Sequence, residues 1–425
     1  MLKPLHLLAS CLLVSHLFAC NASGIQPNPP GFQTLAAPTD AELNQLAQSP
    51  LTEANTDFAI KVFQDLYSQS PRANHFMSPL SLSIALSMLY NGASGETQQE
   101  MAKALQLQGI SPEQLNQGNL TLRKRLANPG KGVEIAIANA LWGKKGIEFN
   151  PAYLQKNKDF YNAQLTALDF ALPSAVSTIN QWASDNTRGK IPKVLESINP
   201  EIILILMNAI YFKGDWHEPF KESSTQPQTF YKADGTEKQH PMMVQFDKYR
   251  YLKSAEGKFQ AMALPYGKDQ QQSMLLFLPD QGQSLENLVT SLSQTNWQSW
   301  MTQMRSREGR VVLPRFKIKT EMPLNDTLKR LGMIKAFQDG EAELQSLLAS
   351  PTLNPYVSQV KQDAFVEVNE KGTEAAAVTT ITVGATSVQL PQEPFEMVLD
   401  RPFLYAIYDQ RTQSILFMGA LNEPL

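Results

Sequence analysis

The side chains that usually perform catalysis or bind metals are scattered through this sequence. Two of its five histidines, His6 and His16, lie within the first twenty residues. The other three, His75, His217 and His240, are not at metal-ligand spacing. No HExxH pair, GxSxG elbow, phosphate-binding loop or dinucleotide fingerprint occurs. These absences argue against a metalloenzyme or a serine hydrolase, and they give no reason to expect a cofactor or a metal.

The segment 367–392 has the most unusual composition of the chain, and its chemistry is that of backbone hydrogen bonding. Charged residues end at Glu374, and 375–392 contains no charged side chain. Small alanines come first, followed by the β-prone run 378–383 and then Gly384. One interpretation is an ordinary buried strand followed by a loop. The other is a segment that serves both as an exposed loop and as a strand in a sheet.

Alternation along this segment favours entry into a sheet. Successive side chains of a strand point to opposite faces, and the only charge in 373–386, on Glu374, falls on the second face. A strand built this way would bury no ion, which would be costly. The uncharged first face consists of Thr373, Ala375, Ala377, Thr379, Ile381, Val383 and Ala385.

The bulk composition is that of a globular protein. The chain has 425 residues, of which 43% are hydrophobic and 18% charged. A net charge of −3 gives no reason to expect a nucleic-acid partner. The basic clusters 123–125 and 144–145 are predicted to be solvated surface.

The N-terminus is typical of an exported lipoprotein. Residues 1–20 combine one basic residue with an interrupted apolar stretch and are predicted to be a signal peptide. Cys20 is the candidate lipidation site, with Cys11 as a less suitable alternative and a plain secretory signal as another. Because both cysteines lie here, the remaining chain has no disulfide. The Pro-rich segment 21–50 is predicted to be a flexible tether, and 51–425 the folded domain.

Helices are predicted early in the chain and strands late, which indicates an α+β domain. The first helix is expected to contain Phe58 and Leu66, with a cap at 55–57. The remaining helices are predicted at 78–89, 96–106, 151–163, 174–186, 284–304 and 323–332. Strands are predicted at 133–142 and 202–212, in short runs over 227–280, at 310–319, and from 357 to 420.

Several segments together resemble the serpin family of serine protease inhibitors, over roughly 51–425. The segment 208–216 (NAIYFKGDW) is similar to a strand signature of that family, and 367–377 (EVNEKGTEAAA) is similar to the hinge of its inhibitory members. The other matching segments are 74–81 (NHFMSPLS), 91–97 (NGASGET), 179–182 (INQW), 187–191 (TRGKI), 313–316 (LPRF), 401–404 (RPFL) and 416–419 (LFMG).

The resemblance implies a serpin fold with three β-sheets, eight to nine helices and an exposed reactive-centre loop that can insert into the largest sheet. It also implies an inhibitor and not an enzyme. A serine protease would attack the loop and form an acyl-enzyme, and insertion of the cleaved loop would trap it. The implied hinge residues are Glu370, Lys371, Gly372, Thr373, Glu374, Ala375, Ala376 and Ala377.

Family spacing from Gly372 implies that the reactive bond joins Thr386 and Ser387, with Ala385 or Val388 as alternative positions. An uncharged β-branched residue before the bond suggests an elastase-like or subtilisin-like target and argues against trypsin-like enzymes. A further alternative is that Thr386 is an ordinary loop residue.

Two supporting clusters are also implied by the resemblance. Trp216, Arg315 and Glu370 would form the breach, where the loop first enters the sheet. Ser78, Ser81, Asn208 and Gln362 would form the shutter, a polar latch beneath the middle of the sheet. Gln362 stands where the family usually has histidine, and glutamine cannot titrate. The heparin-type basic helix is not evident in 111–130.

The expected partner is therefore a serine protease of elastase-like or subtilisin-like preference. Two other functions stay open, namely a non-inhibitory serpin that binds or supports other molecules, and a cross-class inhibitor of papain-like cysteine proteases. The chain is expected to be a monomer in the cell envelope or on the cell surface. Its only membrane contact would be a lipid on Cys20; the alternative is a secreted, extracellular protein.

Overall fold

A computed structural model of the protein describes residues 35–350, 352–373 and 393–425. These residues form a mixed α+β structure with ten α-helices and two hydrogen-bonded sheets. The helices are α1 (Asp40–Ala47), α2 (Pro50–Gln69), α3 (Pro79–Tyr90), α4 (Gly95–Ala104), α5 (Pro112–Leu126), α6 (Pro151–Tyr161), α7 (Pro173–Asn186), α8 (Leu285–Thr290), α9 (Gln294–Gln303) and α10 (Asn325–Arg330). None of the helices in these ranges is both long enough and apolar enough to cross a membrane.

The strands follow the predicted order, with most of them in the second half of the chain. They are β1 (His75–Met77), β2 (Val133–Lys144), β3 (Gln164–Leu168), β4 (Leu204–Asp215), β5 (Gln226–Tyr231), β6 (Glu237–Ser254), β7 (Phe259–Tyr266), β8 (Gln272–Pro279), β9 (Arg305–Pro314), β10 (Phe316–Pro323), β11 (Lys361–Asn369), β12 (Gly372–Thr373), β13 (Phe395–Val398), β14 (Phe403–Asp409) and β15 (Ser414–Leu421).

Serine caps determine where several helices begin. The first long helix, α2, begins at Pro50 because the side chain of Ser49 accepts a hydrogen bond from Leu51 N. The predicted cap at 55–57 is wrong, since those residues lie inside the helix. The helix predicted at 284–304 is divided in two, because Ser293 caps α9 through a hydrogen bond from Asn296 N.

The six-stranded sheet has the order β10–β11–β12–β4–β2–β3. One of its faces packs on the main hydrophobic core through residues such as Ile210 and Phe212. Its other face packs on α7, where Trp142 of β2 meets Trp182 edge-on with ring centroids 5.9 Å apart. Both faces of this sheet are therefore covered around β2 and β4, while along β10 alternate residues such as Lys317 are exposed.

The nine-stranded sheet contains β1, β5–β9 and β13–β15. Its longest strand, β6, pairs with β5 through 237–242, with β9 through 242–251 and with β7 through 250–254. Because this one strand belongs to both parts, two of the three predicted sheets are joined into a single hydrogen-bonded network. The prediction of an α+β serpin fold is confirmed, but the described residues form two connected networks and not three.

The segment predicted as a tether is partly folded onto the domain. Thr39 and Glu42 form a capping box at the start of α1, and Leu43 and Leu46 of this helix are buried. Glu42 pairs with Lys124 of α5 at 2.7 Å. The tether prediction is therefore wrong for residues 40–47, and this helix, with the division of 284–304, raises the helix count above eight to nine.

The basic cluster of α5 is not the solvated surface that the sequence predicted. Arg123 donates to Phe160 O at 2.7 Å, and Arg125 forms a buried ion pair with Asp409 at 2.9 Å. Only Lys124 is partly exposed, and it faces Glu42. The prediction is wrong because a helix places consecutive residues on different faces, so two of the three arginine and lysine side chains point inward.

We predict that α1 contributes to the stability of the domain. Leu46 is 4% exposed, so Leu46→Ala should lower the free energy of unfolding by roughly 2 kcal/mol or more, through lost burial and the remaining cavity. Denaturant unfolding of residues 21–425 would measure this. The matched control is Gln45→Ala, at an exposed position of the same helix, which should change stability by less than about 0.5 kcal/mol. Equal effects of the two changes would contradict a packed helix.

Candidate functional site

The two-residue strand β12 marks the site. Gly372 and Thr373 pair with Asn369 and Val368 of β11 on one side, and with Asp215 and Gly214 of β4 on the other. Among the described residues, no strand pair joins β4 directly to β11. The start of the predicted hinge is thus already a strand of the six-stranded sheet, between two longer strands.

A cavity of about 150 Å³ lies beside the stretch where β4 and β11 do not pair with each other. Its walls come from α3, from the first half of β4 and from the start of β11, and they include Ser81, Asn208 and Gln362. The segment 194–198 after α7 closes it on another side. The space therefore lies on part of the line along which a further strand would have to run, at the end away from β12.

Close contact between two glycines lets β12 approach β4. A β-carbon on Gly372 would lie 2.1 Å from Gly214 O, and one on Gly214 would lie 2.7 Å from the ring of Tyr266. Neither contact is possible for a residue with a side chain. Gly372 is therefore required by the backbone geometry of this strand pair, and Gly214 by the ring of Tyr266 that packs against it.

The turn between β11 and β12 is held by hydrogen bonds from the segment after β4. Trp216 Nε1 donates to Asn369 O at 2.8 Å, and Trp216 N donates to Lys371 O at 2.9 Å. Phe220 N donates to Glu370 O at 2.8 Å. The indole of Trp216 is buried. The segment after β4 therefore positions the main chain of the turn at three consecutive residues.

The carboxylate of Glu370 is paired with Arg315, as the resemblance implied. Arg315 Nε donates to Glu370 Oε1 at 2.6 Å, and Thr225 Oγ1 donates to the same oxygen at 2.5 Å. Burial alone would raise the pKa of Glu370, but these hydrogen bonds outweigh it and lower the pKa below its ordinary value. Trp216, Arg315 and Glu370 thus meet at one end of the six-stranded sheet.

The shutter residues divide into two groups. Gln362 of β11 accepts from Ser78 N at 2.8 Å and donates to Ser78 O at 2.9 Å. Ser78 Oγ donates to Leu416 O at 2.7 Å and accepts from Ser81 N at 3.3 Å. Because the amide of Gln362 uses both a donor and an acceptor, it holds β11 to the start of α3 without a titrating group.

Asn208 does not join that group. Its Nδ2 donates to Asn139 Oδ1 of β2 at 2.7 Å, while its Oδ1 is buried without a hydrogen-bond partner among the described residues. The residues expected to form one latch across the sheet therefore form two separate attachments. One holds β4 to β2, and the other holds β11 to α3.

The remaining predicted site residues lie outside the described residues. They are the later hinge residues Glu374, Ala375, Ala376 and Ala377, the reactive bond Thr386–Ser387 with its alternatives Ala385 and Val388, and the lipidation candidate Cys20.

Three residues at the site were not predicted from the sequence. Thr225 shares the carboxylate of Glu370, Phe220 donates to the turn, and the hydroxyl of Tyr266 lies 2.6 Å from Thr373 Oγ1. Tyr266 and Thr373 are 107 positions apart in the chain, and no motif joins them. Only the folded arrangement of both sheets identifies this contact.

The fold and the site define an α+β protein whose hinge strand occupies one end of an unfilled position in a sheet. The family described as "Serpin (serine protease inhibitor)" matches residues 53–424. The leukocyte elastase inhibitor of Bos taurus is 35% identical over 388 residues, covering 88% of this chain and 99% of that protein. The chain belongs to the serpin family, as the sequence motifs predicted, and its curated relatives include protease inhibitors.

Two solved structures are similar to the whole domain. The thermophilic serpin Tengpin, in its native state, is 31% identical with a TM-score of 0.79, covering 88% of this chain and 95% of that one. Thyroxine-binding globulin in complex with thyroxine is 29% identical, with the same TM-score, and it covers 88% of this chain and 100% of that one.

We predict that the ion pair at Glu370 makes the stability of the domain depend on pH. The carboxylate is favoured in the folded state, so its contribution is complete above the unfolded pKa of about 4.3 and is lost as pH falls through the lower folded pKa. Glu370→Gln should therefore cost about 1–3 kcal/mol at pH 7 and much less near pH 3.

Unfolding of the Glu370→Gln variant and the unchanged chain, measured from pH 7 to pH 3, would test this. The control is Glu367→Gln, whose partner Lys317 is 3.7 Å away and largely exposed, and which should cost little at any pH. A Glu370→Gln effect that stays constant with pH would contradict the assigned role of the charge.

Proposed function

We propose that the protein is an irreversible suicide inhibitor of serine proteases that traps its target by loop insertion. The observation that carries this proposal is strand β12, which lies between the end of β4 and the end of β11, while the cavity lies further along the same two strands. The position is prepared for a strand, and the chain that follows Thr373 has the alternating uncharged pattern that such a strand needs.

The chemistry begins at the reactive bond. The protease's catalytic serine attacks the carbonyl carbon of Thr386, the bond to Ser387 breaks, and the new amino group of Ser387 leaves with a proton. The protease then holds the chain up to Thr386 as an ester. Insertion of the freed segment moves the bound protease before water can cleave that ester.

The energy for insertion comes from pairing and burial. Both β4 and β11 have backbone groups directed toward the space between them, and an inserted strand would form two ladders of hydrogen bonds. Continuing the register of β12 would turn Ala375, Ala377 and Thr379 toward the core and Glu374 away from it. The pattern therefore avoids burial of a charge during insertion.

The expected target is an elastase-like or subtilisin-like protease. An uncharged, medium-sized Thr386 before the reactive bond suits an enzyme whose primary pocket accepts small or medium side chains. The similarity to the bovine leukocyte elastase inhibitor supports this target class. The loop does not offer a trypsin-like enzyme the arginine or lysine that its primary pocket needs, because Thr386 stands before the reactive bond.

Two alternative functions keep specific support. The similar fold of thyroxine-binding globulin in complex with thyroxine supports a non-inhibitory binding function. A papain-like cysteine protease would attack the same carbonyl and give a thioester. The absence of proline and charge from 375–390 favours the inhibitory mechanism over the first alternative.

We also propose that the chain is exported and held at the cell envelope through a lipid on Cys20, and that it acts as a monomer. The signal-like composition of 1–20 supports export. The alternative is release as a secreted, extracellular protein.

The first test mixes the soluble body, residues 21–425, with pancreatic elastase, subtilisin and trypsin. We expect an SDS-resistant band at the summed mass with elastase or subtilisin and a released fragment that begins at Ser387. Blocking the serine of the protease beforehand should abolish the band, whereas a thiol-directed reagent should not.

Other outcomes distinguish the alternatives. Complete cleavage without an adduct would contradict the inhibitory mechanism and favour the non-inhibitory function. A fragment that begins at another residue would move the reactive bond. An adduct formed with papain, added as a fourth protease, but with none of the other three would assign the target to cysteine proteases.

We predict that a charge at an inward position of the inserting segment converts the inhibitor into a substrate. Thr373 is already buried in β12, and continuing its register makes Ala375 the next inward position, so Ala375→Arg would require burial of a guanidinium during insertion. The loop should still be cut by the same protease, but the yield of adduct should fall at least about tenfold. The control Lys371→Arg keeps a cation at an exposed neighbouring position and should leave the yield unchanged. A normal yield from Ala375→Arg would count against insertion.

A further inference from the structure

The insertion mechanism assigns no role to the contact between the hydroxyl groups of Tyr266 and Thr373. Tyr266 is the last residue of β7 in the nine-stranded sheet, and Thr373 is the last described residue of the hinge. Their hydroxyl oxygens lie 2.6 Å apart, and both side chains are buried. One side chain of the other sheet thus contacts the hinge at the point where the loop departs.

The ring of Tyr266 is fixed on three sides. Trp216 stacks on it with ring centroids 4.5 Å apart and 11° between the planes, and Phe212 meets it edge-on at 5.1 Å. On the third side it occupies the space that a side chain at position 214 would need. Because the ring cannot swing away, its hydroxyl stands at a fixed point beneath β12.

Burial raises the pKa of Tyr266, so its hydroxyl stays protonated at any physiological pH. It can donate one hydrogen bond and accept another, and Thr373 Oγ1 can do the same. In the buried surroundings, a hydroxyl that loses its partner is left without a substitute from water. The pair therefore favours the arrangement in which Thr373 points toward the core.

We infer that Tyr266 is a positioning residue for the loop, and that its hydroxyl selects the register in which the hinge enters the six-stranded sheet. This inference rests on the proposed inhibitory function. A slip of one residue would turn Glu374 toward the core, and Ala375 and Ala377 away from it. By holding Thr373 inward, Tyr266 determines which of the following residues face the core and which face away from it.

The experiment compares five variants of residues 21–425, one of which combines Tyr266→Phe with Thr373→Val. Tyr266→Phe and Thr373→Val each remove one hydroxyl of the pair, while Thr373→Ser keeps it. The matched control is Tyr161→Phe, which removes another buried hydroxyl that bonds to Asn116 Oδ1 at 2.7 Å in a different part of the domain.

The first measurement is amide hydrogen exchange at Gly372 and Thr373 in the absence of any protease. Loss of one buried hydrogen bond should raise exchange there about fivefold in Tyr266→Phe and in Thr373→Val. Thr373→Ser and Tyr161→Phe should leave exchange at these two amides unchanged. This measurement does not depend on inhibition, so it tests the contact even if the proposed function fails.

The second measurement is the fraction of cut chains that form an adduct with the protease that the unchanged protein traps. We expect Tyr266→Phe and Thr373→Val to lower that fraction by a similar factor, and the double variant to lower it no further. Tyr161→Phe should lower the melting temperature without changing the fraction.

Two results would overturn the inference. One is unchanged exchange and unchanged adduct fraction in Tyr266→Phe. The other is a double variant whose loss equals the product of the two single losses, because the hydroxyls would then act independently. If the unchanged protein forms no adduct while exchange responds as expected, the proposed function fails and the structural contact stands.

Discussion

The contact of Gly372 with Gly214 is the constraint on which the rest of the site depends. A β-carbon at either position would collide with the opposite main chain or with the ring of Tyr266. Because both are absent, β12 can pair with β4 and β11 at once. The ion pair of Glu370 and the hydrogen bonds of Trp216 then fix the turn that leads into this strand.

The polar side-chain contacts beside the cavity attach β4 and β11 to different neighbours. They do not attach these two strands to each other. Gln362 attaches β11 to α3, and Asn208 attaches β4 to β2. In the described part of the chain, β12 is the only strand that pairs with both of the strands beside the cavity. Such an arrangement keeps each half rigid while leaving the space between them able to accept backbone partners.

Much of the fold could be predicted because the strongest signals are local or belong to long motifs. The run before Trp216 is a strand and the segment 78–89 is a helix, because apolar periodicity and the Ser78–Pro79 start decide each one within a few residues. The tether prediction failed at α1 because proline content outweighed the capping box of Thr39 and Glu42. The prediction that Arg123 and Arg125 are solvated failed because charge alone does not reveal a buried partner such as Asp409.

Apart from the residues that the family resemblance supplied, the site was predictable only where one segment carries it. The hinge is contiguous, so its composition was informative, whereas Thr225 and Tyr266 reach it from distant strands through single side chains. Asn208 was assigned to a cross-sheet latch, but its amide can reach Asn139 on the neighbouring strand at 2.7 Å. Sequence patterns cannot choose between such partners, because both lie within reach of the same side chain.

The packing of α1 on α5 has a consequence for where the protein can act. For the lipid-anchored form proposed above, the chain between Cys20 and Leu35 is 15 residues long, which spans at most about 50 Å when fully extended. The folded body is then confined to a thin layer next to the bilayer. Proteases held at that surface meet it at a high effective concentration, and those in the surrounding fluid meet it only by diffusing to the bilayer.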